Sequence, residues 1–284
     1  MQKENEMTLS EKWESLTLAD NFLFNKIMSS DLDFCREILE MLLHIEIDHL
    51  KLAVAEASMQ EGFDSHGVRL DVYTKNDGQI FDLEIQTTKK TNLEKRARYY
   101  QGVIDVDNLP AGVDYSKLKD SYVIFLCLED VFKKGEPVYT FENICLENKE
   151  LKLNDRSYKV FFNASAYDKI KNEREKDFFK LLLGKSVKTK SDFTERLREK
   201  VLRAKRNIDW RRQYMVWALA MEEEKRIARE EAREEGLAEG RAEGSRNTAL
   251  QNARNLLAMN LGTIEQIARA TGLSVEEVKS LSQK

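Results

Sequence analysis

A short stretch between residues 69 and 86 places acidic side chains where they could bind a metal ion. It reads as two β-strands joined by an Asp77-Gly78 turn, a dipeptide typical of two-residue hairpin loops. With such a turn, the strand register puts Asp71 directly opposite Glu84. Because opposed residues share one face of the sheet, these carboxylates repel each other unless a cation lies between them. A hard divalent metal ion, which binds through carboxylate oxygens, is the obvious candidate.

Two further polar residues belong to the same strand face. Asp82 and Gln86 lie two residues before and after Glu84, so strand alternation predicts that all three side chains point the same way. Asp82 could support or extend a metal site, or it could simply face solvent. The hairpin alone also fits a solvated surface, because Asp-Gly turns flanked by acids are common there.

Composition limits the class of protein. The 284 residues suit one larger domain with an appendage, and the polar N-terminus and the absence of a long apolar run argue against a signal peptide and a membrane span. Cysteines at 35, 127 and 145 form no CxxC motif, which favours reduced thiols and a cytoplasmic protein. The three histidines lack zinc-ligand spacing, and the chain contains no P-loop or dinucleotide fingerprint.

The hydrophobic pattern predicts the elements that would hold the hairpin in place. Helical spacing indicates helices over 18–28, 32–43 and 91–106 and throughout the chain from about 173, while strands are expected at 51–57, 67–86, 121–128, 138–147 and 157–163. The run 121–128 is apolar throughout, as in a strand buried on both faces. This order predicts an α/β (α+β) fold in which helices pack on a mixed sheet.

The C-terminal part is highly charged. Glycines recur every four residues at 236, 240 and 244, which fits either a solvated connecting helix or the close approach of a partner helix. Beyond it, Thr263-x-x-Gln266 and Ser274-x-x-Glu277 match the capping box and outline a helix-turn-helix. Glu276 and Glu277 would repel DNA at the start of the second helix, which favours a dimerisation module over a DNA-sequence reader.

These segments give a predicted domain order: a flexible N-terminus over 1–15, a main domain over 16–215, a charged helical linker over 216–247 and a small helical tail over 248–284.

Several motifs together resemble a known family. Asp71, a spacer of a dozen residues and then Glu84-Ile-Gln86 resembles the PD-(D/E)XK nuclease superfamily, and the Gln-ending form is similar to its Rpn branch of recombination-promoting nucleases and putative transposases. Leu18-Ala-Asp-Asn-Phe-Leu-Phe-Asn-Lys26 resembles the opening of that branch, and Arg96-Ala-Arg-Tyr-Tyr-Gln101 resembles its helix after the Glu-x-Gln strand. With the charged segment and the tail, the resemblance covers residues 16–282.

The resemblance implies a PD-(D/E)XK restriction-endonuclease-like core with a helical C-terminal extension. It also implies a Mg²⁺-dependent DNA endonuclease, with Mn²⁺ as an alternative ion, acting in recombination, mobile-element biology or defence. Asp71 and Glu84 would hold the ion together with the backbone carbonyl of Ile85, and Asp20 matches the family's N-terminal acidic position. Gln86 stands where most of the superfamily has lysine, so the site lacks that charge unless another cation restores it.

Two basic segments are candidate DNA-binding surfaces. The first follows the Glu-x-Gln strand and the second lies on a later helix; the residues are Lys89, Lys90, Lys95, Arg96, Arg98, Tyr99 and Tyr100, then Arg203 and Arg206. The cations could instead be merely solvated, with a tyrosine in the core. Lys89 or Lys90 could also supply the charge that Gln86 lacks.

Three functions therefore compete. The first is the metal-dependent endonuclease, assembled as a homodimer through the C-terminal helices. The second is a catalytically weak or inactive transposase-like protein that binds DNA and oligomerises, which the neutral Gln86 and the acidic tail favour. The third is a purely structural helical adaptor, which leaves the facing acids unexplained.

Overall fold

A computed structural model describes residues 7–59, 68–87, 92–188 and 191–282. The chain divides into two compact units, Met1–Tyr214 and Met215–Lys284. In the first unit the helices are α1 (Leu9–Ser15), α2 (Asn21–Ser30), α3 (Leu32–Leu43), α4 (Leu93–Asn108), α5 (Glu173–Leu182) and α6 (Asp192–Arg206). The strands are β1 (Leu52–Met59), β2 (Val68–Lys75), β3 (Gln79–Gln86), β4 (Asp120–Cys127), β5 (Val138–Phe141) and β6 (Ser157–Asn163).

The described strands form one mixed sheet of six strands in the order β1-β2-β3-β4-β6-β5. The β3–β4 and β4–β6 pairs are parallel, and the other three are antiparallel. The predicted mixed α/β sheet is therefore confirmed. β4 lies between two parallel neighbours and is almost wholly buried, which explains why its sequence is a continuous apolar run.

Helices cover both faces of the sheet. On one face, Ala97 and Ile104 of α4 pack against Val123 and Phe125 of β4 in a single apolar cluster. On the other face, Phe162 of β6 contacts Phe179 of α5, with 5.6 Å between the ring centroids. Side chains alternate along each strand, so any polar residue on the α4 face of β3 must lie beneath that helix.

Part of the segment predicted to be flexible, residues 1–15, is helical: α1 covers Leu9–Ser15. Thr8 caps α1 in a reciprocal capping box with Glu11. Trp13 has no exposed surface, and its ring contacts Phe22 and Tyr214 at centroid distances of 6.3 and 5.3 Å. The charged residues of α1 face outward, and the polar composition of the segment therefore gave no indication that Trp13 is buried.

The second unit is helical. α7 (Ile208–Ala258) spans the unit boundary, and α8 (Ile264–Thr271) and α9 (Val275–Ser282) follow it. Both predicted capping boxes form, and Ala253, Ile267, Ala268 and Val278 make a small core. α7 continues unbroken through position 248, the predicted start of the tail.

The glycine stripe of α7 lies open. A Cβ built on Gly236, Gly240 or Gly244 would meet no neighbouring atom within 4 Å, so packing within the described chain does not explain these glycines. Among the described residues, no helix combines the length and the apolar composition needed to cross a bilayer.

Trp13→Ala is expected to lower the free energy of unfolding by about 3–5 kcal/mol, the usual cost of removing a large buried aromatic ring. Guanidinium unfolding followed by circular dichroism measures this change. Tyr115→Ala is the matched control, because that ring is 81% exposed and its loss should cost no more than about 0.5 kcal/mol. Equal effects of the two substitutions would show that α1 does not contribute to the core.

Candidate active site

The β2–β3 hairpin has the predicted turn and register. The Asn76 N–H donates to the Gln79 carbonyl at 3.0 Å, and the Asn76 side-chain oxygen accepts from the Gly78 N–H at 2.9 Å, which fixes the chain reversal locally. The ladder runs from the Lys75–Ile80 pair to the Val72–Leu83 pair. One step further in the same register, Asp71 lies opposite Glu84.

Beyond the Val72–Leu83 pair, hydrogen bonds to the two carboxylates take the place of backbone hydrogen bonds between the strands. The Asp71 N–H donates to Glu84 Oε1 at 2.8 Å, and the Ile85 N–H donates to Asp71 Oδ2 at 3.2 Å. Asn21 at the start of α2 adds a third contact, from its Nδ2 to Asp71 Oδ2 at 3.4 Å. Both acids are therefore fixed by peptide N–H groups of neighbouring strands, and their positions depend on the sheet itself.

The acidic face of β3 is buried beneath α4. Asp82 and Glu84 have no exposed surface, and Gln86 is 4% exposed. Neither carboxyl oxygen of Asp82 accepts a hydrogen bond from an N–H or O–H group of the described residues. The solvent-facing alternative for Asp82 is therefore wrong, because this face of β3 lies against the α4 cluster and not against water.

Burial changes how readily these acids ionise. Removal from water, followed by repulsion from Glu84 and Asp71, raises the pKa of Asp82 well above its usual range. Burial and the neighbouring Asp71 charge raise the pKa of Glu84 to about 7, although the Arg96 guanidinium acts in the opposite direction. The three carboxyl groups cannot all be charged without additional positive charge close by.

Arg96 supplies one positive charge to this cluster. Its Nη2 forms an ion pair with Glu84 Oε2, and its Nη1 donates to Gln86 Oε1 at 3.2 Å. The guanidinium lies over the rings of Tyr100 and Phe125, with its carbon 5.0 and 5.2 Å from their centroids. The sequence analysis placed Arg96 on a DNA-binding surface, and its direct role at the acids was missed. The only signal was its place in the first turn of the helix after Gln86.

The other candidate residues of α4 separate into two groups. Lys95, Arg98 and Tyr99 are exposed and share one side of the helix, since residues three and four apart are neighbours. Tyr100 is half-buried beside Arg96, and its hydroxyl accepts from Arg96 Nε at 2.8 Å. Tyr100 is therefore turned toward the acids, while the first three residues remain on the surface.

The remaining candidates lie elsewhere. Asp20 is the N-cap of α2, where its Oδ1 accepts from the Phe22 and Leu23 N–H groups at 3.1 and 3.4 Å, and burial raises the pKa of its carboxyl group. Arg203 pairs with Glu199 on the exposed side of α6, and Arg206 is exposed. Lys89 and Lys90 lie outside the described residues. Asn21, which the sequence analysis did not single out, contacts Asp71 directly.

The donor set of the site fits a divalent cation. In the described part of the chain, no three His, Cys, Asp or Glu residues form a group that could hold a metal ion. Magnesium, however, needs only one or two carboxylates and keeps several waters. Asp71 and Glu84 meet that need, and these two carboxylates, when ionised, exceed the single positive charge of Arg96.

The free energy of unfolding of the metal-free protein is expected to fall as the pH rises from about 4.5 to about 7. The pKa of Glu84 is raised from 4.5 to about 7 on folding, so the native state retains a proton that the unfolded chain releases in this window. The stabilising contribution of Glu84 is complete below its unfolded pKa of 4.5 and is lost above its folded pKa of about 7. Denaturant unfolding in EDTA at several pH values measures it.

Glu84→Gln removes the titrating group and should flatten this pH dependence relative to the parent protein. An equal decline in both proteins would mean that Glu84 does not ionise in this range.

Comparison with known proteins identifies the chain. A family model described as PD-(D/E)XK nuclease family transposase matches residues 20–239, which include the whole hairpin, α4 and most of α7. No curated protein and no solved structure matches the chain. The family match agrees with the resemblance that the hairpin motif carries, and the mixed sheet with flanking helices agrees with a PD-(D/E)XK fold. The chain therefore belongs to the PD-(D/E)XK nuclease family transposases.

Proposed function

We propose that this protein is a metal-dependent DNA endonuclease that hydrolyses phosphodiester bonds in recombination, mobile-element biology or defence. One observation carries the proposal: Asp71 and Glu84 lie opposite each other at the point where the β2–β3 ladder gives way to carboxylate hydrogen bonds. Family membership supports a nuclease-like or transposase-like role and implies DNA as the substrate.

Asp71 and Glu84 would hold the ion, which we take to be Mg²⁺ with Mn²⁺ as an alternative. The Ile85 N–H points to Asp71 on β2, and the N–H and C=O of a strand residue point toward the same neighbouring strand. The Ile85 carbonyl is therefore directed to the same edge and suits a third oxygen ligand. A bound divalent ion lowers the pKa of a water, orients the phosphate and neutralises charge.

The chain itself supplies rigidity and a dry environment. Peptide N–H groups fix Asp71 and Glu84, so neither carboxylate must be ordered when substrate arrives. Asp82, buried beside them, adds a carboxyl group whose raised pKa favours its neutral form. Asp20 caps the helix that brings Asn21 to Asp71, so it can support the site through that helix as well as act as a metal ligand itself.

DNA would approach over the exposed side of α4. Lys95 and Arg98 can pair with phosphates, and Tyr99, 41% exposed, can stack or hydrogen-bond. Arg203 and Arg206, exposed on α6, form a second proposed DNA-binding surface. Lys89 and Lys90, which lie outside the described residues, remain candidates from the sequence alone. Arg96 and Tyr100 face the acids and would act within the site.

A second candidate is an inactive, transposase-like protein that binds DNA and oligomerises. The Arg96–Glu84 ion pair favours it, because a carboxylate that is already paired has less need of a metal ion. Calorimetry with Mn²⁺ separates the two candidates. Tight binding that is lost in Asp71→Asn supports the nuclease.

Asp71→Asn and Glu84→Gln are each expected to reduce plasmid cleavage with Mg²⁺ or Mn²⁺ by at least about 100-fold. Loss of a residue that merely supports a metal ligand already costs about 10–100-fold, and both amides preserve the size of the side chain. Gel analysis of nicked and linear plasmid measures the effect. Asp48→Asn is the control, since that carboxylate is 93% exposed. Unreduced cleavage in both variants would remove these residues from the site.

We further propose that the protein forms a homodimer through its C-terminal helices. Val216, Leu219, Ile227 and Leu237 of α7 are between 43 and 70% exposed. At 3.6 residues per turn they fall within an arc of about 80°. The same arc also holds Glu223, Glu230 and Glu234, so it mixes apolar and acidic side chains. A second copy of α7 would cover its apolar members, and the open glycines of the same helix would not hinder its approach.

The double substitution Ile227→Glu/Leu237→Glu should convert the dimer to a monomer, because like charges would replace apolar contact across the two-fold axis. Light scattering after size-exclusion chromatography measures the mass. Glu224→Gln, a change at an exposed position of the same helix, is the control. A parent protein that stays monomeric at high concentration would rule out this assembly.

A further inference from the structure

The site has a positive charge in an unexpected place. Gln86 is neutral, and its side-chain oxygen accepts a hydrogen bond from Arg96 Nη1 at 3.2 Å. The same guanidinium pairs with Glu84, so a cation lies between the two motif residues although neither of them carries positive charge.

We propose that Arg96 is the positively charged catalytic residue of this site and that Gln86 positions it. This inference rests on the proposed endonuclease function and assigns the charge that neutral Gln86 does not supply. The substrate group that Arg96 would contact is the phosphate of a DNA backbone, since a guanidinium matches phosphate oxygens in a bidentate geometry.

The surroundings hold the guanidinium in one orientation. Its Nε donates to the Tyr100 hydroxyl, and its central carbon lies over the Tyr100 and Phe125 rings. An arginine that carried only surface charge would not be fixed by a carboxylate, an amide, a hydroxyl and two rings. Such fixed geometry is what electrostatic catalysis requires, because the donor need not reorganise during the reaction.

Arg96 also keeps an opening to solvent. Its side chain is 25% exposed, whereas that of Glu84 is 1% exposed. The Arg96 side chain therefore forms part of the accessible boundary of an otherwise buried acidic cluster. A backbone phosphate could reach Arg96 from outside, which it could not do at Asp82.

The neighbourhood explains why residue 86 is not lysine. An ammonium group at this position would face the Arg96 guanidinium in place of the present hydrogen bond, since lysine has donors but no acceptor. Glutamine instead offers Arg96 an acceptor. The positive charge that most of the superfamily carries on the strand, at the position of Gln86, is carried here by Arg96 on the helix. Residues 86 and 96 thus form one functional pair.

A double-mutant cycle tests this pairing. Arg96→Gln should lower kcat by about 100-fold, the usual cost of losing one transition-state donor, while Mn²⁺ affinity measured by calorimetry does not fall. Gln86→Lys alone should also impair cleavage, because two cations then face each other. The double variant Gln86→Lys/Arg96→Gln should recover at least about tenfold over either single variant, since one positive charge is restored. Arg156→Gln, an exposed arginine in the same unit, should leave kcat unchanged.

The same four proteins provide a readout without cleavage. In EDTA, Gln86→Lys should lower the denaturant midpoint more in the presence of Arg96 than in its absence. A parent protein that does not cleave DNA defeats the proposed endonuclease, but the stability cycle still tests the pair. The inference would be overturned if the changes in denaturant midpoint of the two single variants add up to that of the double variant. It would also be overturned if Arg96→Gln keeps the kcat of the parent protein.

Discussion

Repulsion among buried carboxyl groups is the constraint on which the site depends. Asp71, Asp82 and Glu84 lie within interaction range of one another, and Arg96 is their charged counterpart among the described residues. Burying such a group of acids costs free energy unless protons or cations compensate it. The sheet and α4 must therefore hold these groups together against their mutual repulsion, and the apolar cluster around Phe125 supplies the packing that does so.

The architecture divides this task among a few elements. The Asn76 turn fixes the register of β2 against β3. β3 and β6, the two parallel neighbours of β4, bury that strand beside the acids. α4 then closes the acidic face and contributes the guanidinium from its first turn. The N-terminus of α2 touches the same site through Asn21. Displacing any one of these elements would change the distance between charges, which explains why so much of the first unit surrounds one hairpin.

The register of the hairpin could be predicted because it depends on local turn chemistry. The facing of Asp71 and Glu84 and both C-terminal capping boxes likewise follow from short-range spacing. The burial of Asp82, the direction of Arg96 and the core position of Trp13 could not be predicted in this way. Each of these depends on which face of a helix or strand meets a distant element, and a charged or polar sequence gives no warning that this face is covered.

The residues that build the candidate site, from Asn21 to Arg96, all come from the first unit of a single chain. Among the described residues, the proposed site therefore draws on one chain, and the proposal includes no residue from a second copy. Under the proposed endonuclease function, such a centre would sever one strand in each catalytic event. Opening both strands of a duplex would then require two chains acting on opposite strands or two successive encounters, so the number of chains on the DNA would decide between a nick and a break.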